Sequence, residues 1–280
     1  MLRIFAWNLD ANVEALKVAL HHLSEGDAVP TITVLTEVPD AINLQNHGGN
    51  RRMTTDYFRR WLAGYMKGAA VTSRWSWQAV VRMTSQAVAR TRRGHNQSHT
   101  AILYAGPREL KFRHAVERSV RAEIPGFYPV HVVGLHARSS RDAKERQEST
   151  APFASASAVR KVLEKQRGLR IIAGDFNEQP FDPVLMDAGG YYSRATKPRH
   201  SGVPRCWANL TWQAIEWNSI GTWWDNKAKT WKWFDQILVD TETAEHVSSV
   251  RVLETVGNQA SFSLSDHAPI EAILRVEMEL

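Results

Sequence analysis

The stretch RIIAGDFNEQP, residues 170–180, decides how this chain is read. An apolar run, Ile171-Ile172-Ala173, meets a glycine and then delivers Asp175, Phe176 and Asn177. Asp and Asn disfavour strand interiors. A surface turn would hold them without cost. The alternative is a reacting group at the lip of a sheet, where α/β proteins assemble their sites.

Working outward, strands and helices alternate. The segments 3–9 (RIFAWNL) and 31–38 (TITVLTEV) read as strands, the second bounded by Pro30 and Pro39. Between them, residues 12–23 carry apolar residues at helical spacing, with Asn12 as the cap. Residues 53–67 read as a helix, followed by strands at 69–73 and 76–83, with 86–90 as a weaker strand signal. Strands follow at 99–106, 119–124, 129–137 and 169–176, with a basic polar stretch at 107–118. A helix is expected within 141–167, stopped by Gly168, and a short one at 182–189. Segments 231–240, 246–255 and 267–278 close the chain as strands. In TWWDNKAKTWKWFD a hairpin is expected, with its turn near DNKAK and its far end reaching the site. Strands outnumber helices, and hairpins are frequent. A mixed-sheet α/β sandwich therefore fits better than a parallel sheet.

Several strands run apolar and then present a carboxylate, amide or imidazole. Asn8 ends RIFAWN, Glu37 ends TITVLTE, His136 ends VHVVGLH, and Asp175 and Asn177 end IIAGDFN. Asp235 opens DQILV, and Asp266 and His267 precede APIEAILRV. Any one of these is more often a capped or solvated group than a ligand. Their repetition at strand ends points to a shared site.

The ordered blocks Trp7-Asn8, Thr36-Glu37, Leu135-His136, Gly174–Asn177 (GDFN), Phe234–Val239 (FDQILV) and Ser265–Ile270 (SDHAPI) resemble the endonuclease/exonuclease/phosphatase superfamily, the DNase I-like fold. The resemblance implies one domain over 1–280, a four-layer α/β/β/α sandwich of two mixed sheets flanked by helices. A basic insertion at about 51–93 and a Trp-rich loop region at about 195–233 would be its own. It implies phosphoester hydrolysis by an activated water with Mg²⁺, or Mn²⁺ in its place. Glu37, Asn8 and Asp266 would hold the metal, which suits the hard-oxygen preference of such ions. Asp175 would activate the water and Asn177 would donate to a phosphate oxygen. Period-two geometry would aim both the same way, with Phe176 turned into the core. Asp235 would fix the tautomer of His267 against the phosphate. His136 or His267 would protonate the leaving group.

Composition bounds the substrate. With 43% hydrophobic and 23% charged residues, the 280-residue chain is globular, not disordered. One cysteine, Cys206, excludes an internal disulfide framework. The N-terminus has no charged-then-apolar leader pattern, and no apolar run approaches a membrane span. A soluble cytoplasmic protein with no membrane partner is expected. The net charge is +6, yet ten Lys and Arg face only Asp56 within residues 51–93. Arg51, Arg52, Arg59, Arg60, Arg92 and Arg93, with Arg138 beyond His136, are candidate contacts to a phosphate backbone. Interleaved Tyr57, Phe58, Trp61, Trp75 and Trp77 add stacking surfaces, although a solvated helix face with tryptophan in the core fits as well. The favoured expectation is a nuclease with nucleic acid as partner, DNA over RNA. The others are a phosphatase or phosphodiesterase of a small or lipid phosphoester, and a non-catalytic nucleic-acid-binding module.

Overall fold

The computed structural model describes residues 1–25, 29–39, 54–69, 74–86, 97–115, 118–137, 159, 162–180, 191–192, 207–216 and 220–276. Two mixed sheets pack face to face between helices. The first has six strands in the order β14 (Val247–Val252), β17 (Ile270–Leu274), β1 (Leu2–Asn8), β2 (Thr31–Val38), β4 (Gln97–Ala105), β3 (Trp77–Gln86). The second has seven: β5 (Lys111–Arg113), β6 (Ser119–Ile124), β7 (Val130–His136), β8 (Leu169–Asp175), β13 (Asp235–Asp240), β10 (Trp207–Asn209), β9 (Tyr191–Tyr192). Among the described residues only β1–β2, β7–β8 and β9–β10 pair in parallel.

Alternation of side chains explains the layering. In β1, Leu2, Ile4 and Ala6 enter the core between the sheets, while Phe5 and Trp7 face outward. The outward pair belongs to an outer core that helices α1 (Val13–Glu25) and α2 (Thr55–Gly68) cover, through Leu16, Leu20, Phe58 and Leu62. In β8, Leu169, Ile171 and Ala173 face inward, and Ile172 faces outward toward Val159 and Leu163. In β13, Ile237 and Val239 face inward and Leu238 outward. Asn12 caps α1, its Oδ1 accepting from Glu14 N at 2.9 Å. Thr54 caps α2 by accepting from Tyr57 N at 3.2 Å.

Three expectations change. The segment 231–240 is not one strand. Its first part, β12 (Thr230–Lys232), pairs with β11 (Trp223–Asp225) in a separate hairpin. Trp233 and Phe234 then lead into β13, which pairs with β8. The hairpin turn does lie at DNKAK: Asp225 Oδ1 accepts from Lys227 N and Ala228 N at 2.9 and 3.1 Å. The irregular, Trp-rich region holds, besides this hairpin, β10 and helix α3 (Thr211–Glu216). The polar stretch at 107–118 contributes edge strand β5. Most of 141–167, all of 182–189 and residues 87–90 lie outside the described residues, as do Arg51, Arg52, Arg92, Arg93 and Arg138.

Gly174 sets how β7 and β8 meet. Its φ is +132°, and a Cβ there would lie 2.2 Å from the Leu135 carbonyl oxygen. The register pairs Leu135 with Gly174 and His136 with Asp175. Gly174→Ala therefore strains the backbone and pushes these strands apart, and is expected to lower stability by about 3 kcal/mol. Urea unfolding checks this; a loss under about 1 kcal/mol contradicts it.

Candidate active site

The inward-facing positions of the two sheets run from apolar to polar at one end of the sandwich. In β1 the series Leu2, Ile4, Ala6 continues to Asn8. In β7, Val130 and Val132 lead to His136, and in β8 the series ends at Asp175. On antiparallel β13 the order reverses, so Asp235 comes first, paired with Asp175. Strand parity thus brings side chains of both sheets into one cleft.

Glu37 arrives there by a different route. Ile32 and Val34 face inward and Leu35 outward, so simple alternation would put Glu37 outside. Glu37 instead has φ +48°, and the β2–β4 register shifts between Leu35 and Val38. This bulge switches the parity. Val38 joins the outer core, and Glu37 Oε1 comes 3.4 Å from His136 Nε2.

Asp235 is fully buried. Its Oδ1 accepts from Asn8 N at 3.1 Å, and its Oδ2 meets His267 Nδ1 at 2.5 Å. Thr222 Oγ1 accepts from Asp235 N at 2.9 Å, and Thr222 O accepts from Ala268 N at 2.7 Å. Ser265 Oγ donates to Asn8 O at 2.7 Å and accepts from His267 N at 3.1 Å. Trp7 Nε1 donates to His267 O at 2.8 Å. His267 is thus held on both ring and backbone.

Asp175 is also fixed. Its Oδ2 accepts from Asn8 Nδ2 at 2.8 Å and its Oδ1 from Asn177 N at 2.7 Å. Asn177 stands beyond the strand, with φ +53°. Period-two alternation is therefore not what joins the two residues. Strand β8 stops at Asp175, and a side-chain-to-backbone turn folds Asn177 back, with Nδ2 donating to Ala137 O at 3.0 Å. Phe176 is fully buried, in the outer core with Leu135 and Trp207.

Burial dominates the electrostatics. Glu37 is pushed up to about 7 by burial and then by the Asp175 charge, although its side chain keeps 27% exposure. Asp175 is raised to about 6 by burial, with His267 opposing and Asp235 adding. His136 is lowered to about 3 by burial, Arg118 and His267. It is neutral although Glu37 and Asp175 oxygens lie 3.4 and 3.9 Å away. Burial would also lower His267, but the charge and hydrogen bond of Asp235, with Asp175 and Asp266, raise it to about 10. One imidazole is neutral and the other is a buried cation.

Of the sequence-derived candidates, Asn8, Glu37, His136, Asp175, Asn177, Asp235 and His267 come together. Asp266 stands at the rim, half exposed, its Oδ1 3.7 Å from His267 Nε2 and its Oδ2 accepting from Trp223 Nε1 at 3.3 Å. Trp223 also forms an isolated antiparallel bridge with His267, so the hairpin does reach the site. Arg59 and Arg60 are exposed on α2, which packs on β3, with β2 and β4 between it and β1. Arg59 Nε donates to Ala79 O at 2.6 Å. Sequence reading missed Thr222, Ser265 and Arg118. Arg118 has φ +54° and its Nε donates to His136 O at 2.9 Å. Ser265 sits inside the SDHAPI block and was available; Thr222 and Arg118 carry no local signal.

The profile of the endonuclease/exonuclease/phosphatase family matches residues 7–267. The chain belongs to that family. Three solved structures share the fold. One is an endonuclease/exonuclease/phosphatase family protein from Leptotrichia buccalis, 15% identical over 99% of this chain and 100% of that one, with a TM-score of 0.60. A second is an AP endonuclease from Archaeoglobus fulgidus, 16% identical over 99% and 100%, TM-score 0.57. A third is a 3' phosphatase, NExo, from Neisseria bound to product DNA hairpin, 19% identical over 99% and 100%, TM-score 0.54. No curated protein matches the sequence. Among the described residues no helix is long and apolar enough to cross a membrane.

Asp235→Asn keeps the shape and removes the charge. The His267 midpoint is then expected to fall from about 10 toward its ordinary 6.5, as read by NMR titration of the ring. In the native protein the folded-state value lies above the unfolded one. The stabilisation from this proton is complete below pH 6.5 and is lost as pH rises through about 10. Stability of the variant should lack that alkaline decline; the same decline in both proteins contradicts the assignment.

Proposed function

We propose that the protein is a divalent-metal-dependent phosphodiesterase that cuts nucleic acid, DNA in preference to RNA. The observation that carries this reading is the meeting, at one end of the sandwich, of Glu37 and Asp175 with a neutral and a cationic imidazole. Acids, a charged donor and a neutral donor are what hydrolysis of an anionic ester requires. The AP endonuclease and the DNA-bound 3' phosphatase among its structural relatives support the substrate class. Exposed Arg59 and Arg60 on the basic segment add positive surface for a polyanion.

The residues fit Mg²⁺. An acid whose proton affinity is raised by burial and by the charge of a second acid, Asp175, makes a place for a cation, and Glu37 retains exposure through which hydrated metal can enter. Among the described residues no cluster of three or more His, Cys, Asp or Glu forms a cage. Mg²⁺ needs none, since it keeps waters beside one or two carboxylates. Glu37 would be its main ligand, with Asp266 and the Asn8 amide oxygen beside it. That oxygen already accepts from Asp10 N at 3.0 Å and has a second lone pair to offer. When bound, the ion would neutralise charge developing on the phosphoryl oxygens.

Asp175 would take the proton of the attacking water. Its raised affinity suits a base working near neutrality, and its two held oxygens fix the direction of approach. His267 would present a charged Nε2–H to a non-bridging or leaving oxygen, with Nδ1 tied to Asp235. His136, neutral, would hydrogen-bond the phosphate and not supply a full proton. The Asn177 amide would add its remaining N–H.

Nicking of plasmid DNA with Mg²⁺, abolished by EDTA, tests the reading. Glu37→Gln and His267→Ala should each lower the rate by about 10²–10⁴-fold. Turnover of a soluble phosphomonoester alone, or faster cleavage of RNA than DNA, overturns it. Because Glu37 must lose its proton to bind metal, Mg²⁺ affinity measured by calorimetry should rise with pH through about 7 and lose that dependence in Glu37→Gln.

A further inference from the structure

A second binding feature adjoins the site. A cavity of about 430 Å³ is lined by Trp224, Asn226, Trp231, Phe262 and Asp266. Trp224 and Trp231 are cross-strand partners in the β11–β12 hairpin, with ring centroids 4.9 Å apart and planes at 60°. Trp231 and Phe262, the latter on helix Ser261–Leu264, are 4.8 Å apart at 47°. Trp223 and Lys232 form the neighbouring cross-strand pair, with Nζ 5.5 Å from the Trp223 ring centroid. Successive hairpin residues point to opposite faces. One face therefore holds Trp223 against His267 and Asp266, and the other turns Trp224 and Trp231 to the cavity.

We propose that this cavity takes the nucleobase adjoining the scissile phosphate, so that the enzyme favours an unpaired nucleotide over continuous duplex. The inference rests on the nuclease reading above. Three aromatic rings offer stacking faces to any base. Among the described residues no Lys, Arg or His lines the cavity, which does not favour a second phosphate there. Its polar groups are complementary to each other. Asn226 Oδ1 accepts from Trp224 Nε1 at 3.1 Å, which leaves its NH₂ to donate. Asp266 supplies a carboxylate acceptor. Every nucleobase carries donors and acceptors side by side on its pairing edge, so this pair reads a base without choosing among them. A base engaged by that edge cannot also be paired.

Position agrees with the chemistry. Asp266 lines the cavity and lies 3.7 Å from His267 Nε2, so the cavity opens beside the place assigned to the phosphate. Aromatic rings with a carboxylate also suit a quaternary ammonium. Such a group has no hydrogen-bonding edge and would leave the Asn226 amide to water.

Anisotropy of a labelled six-nucleotide single strand in EDTA separates binding from turnover. Trp231→Ala and Phe262→Ala should each weaken binding roughly 5- to 150-fold, the worth of one stacked base. An abasic spacer moved along the strand should weaken native binding most at one position. At that position Trp231→Ala should lose nothing more. Trp231→Leu, which keeps apolar volume in the hairpin, should lose the same base-dependent difference and guards against unfolding. Equal tolerance of the spacer at every position overturns the proposal, as does Trp231-dependent hydrolysis of p-nitrophenylphosphocholine. Plasmid nicking with unchanged KM in these variants removes the cavity's role and leaves the nuclease reading intact. No binding or cleavage of any oligonucleotide removes both.

Discussion

One buried carboxylate joins the two halves of this protein. Asp235 belongs to the seven-stranded sheet, yet its oxygens hold the backbone of Asn8 in the other sheet and the ring of His267 in the loop before β17. An ionised group with no exposure is costly unless every lone pair is answered. Here the answers come from elements that must all dock correctly. The same charge that fixes the geometry keeps His267 protonated, so architecture and protonation state are set by one interaction.

The remainder of the site follows from parity. Strands β1, β7 and β8 keep their inward positions free of polar side chains up to the last, which is polar. Asn8, His136 and Asp175 are simply the next inward residue where the core opens to solvent. Glu37 is the exception that needs strain. Its left-handed backbone is uncommon for a residue with a side chain, and it persists because Val38 is thereby returned to the outer core. Packing on one face thus compensates for aiming a carboxylate at the other.

This division explains what the sequence made legible. Strand ends with polar residues, and their resemblance to a known set of blocks, were enough to find the cleft and the sandwich. Period-two reasoning also led to opposite faces for Asp175 and Phe176, as found. It misled at Asn177, because a strand's end is fixed by hydrogen bonding to neighbours and an Asp side chain can fold the chain back one residue later. It was silent about Glu37, since a bulge depends on the register with β4 and not on local pattern. The run 231–240 looked continuous because both pieces are β-prone; only the separate pairing partners of β12 and β13 divide it. Thr222 and Arg118 use their side chains to hold the backbone of Asp235 and His136, a role that no local pattern announces.

The order of the site along the chain has a consequence for biosynthesis. Asn8 precedes every other residue of the site and His267 follows them all, as does β17, the strand that flanks β1. Contacts of such long sequence separation close late in folding. A growing chain has carboxylates but no imidazole cation to work with them, and β1 lacks one of its two neighbours. A chain cut before His267 therefore lacks the buried cation of the cleft and the second sheet neighbour of β1.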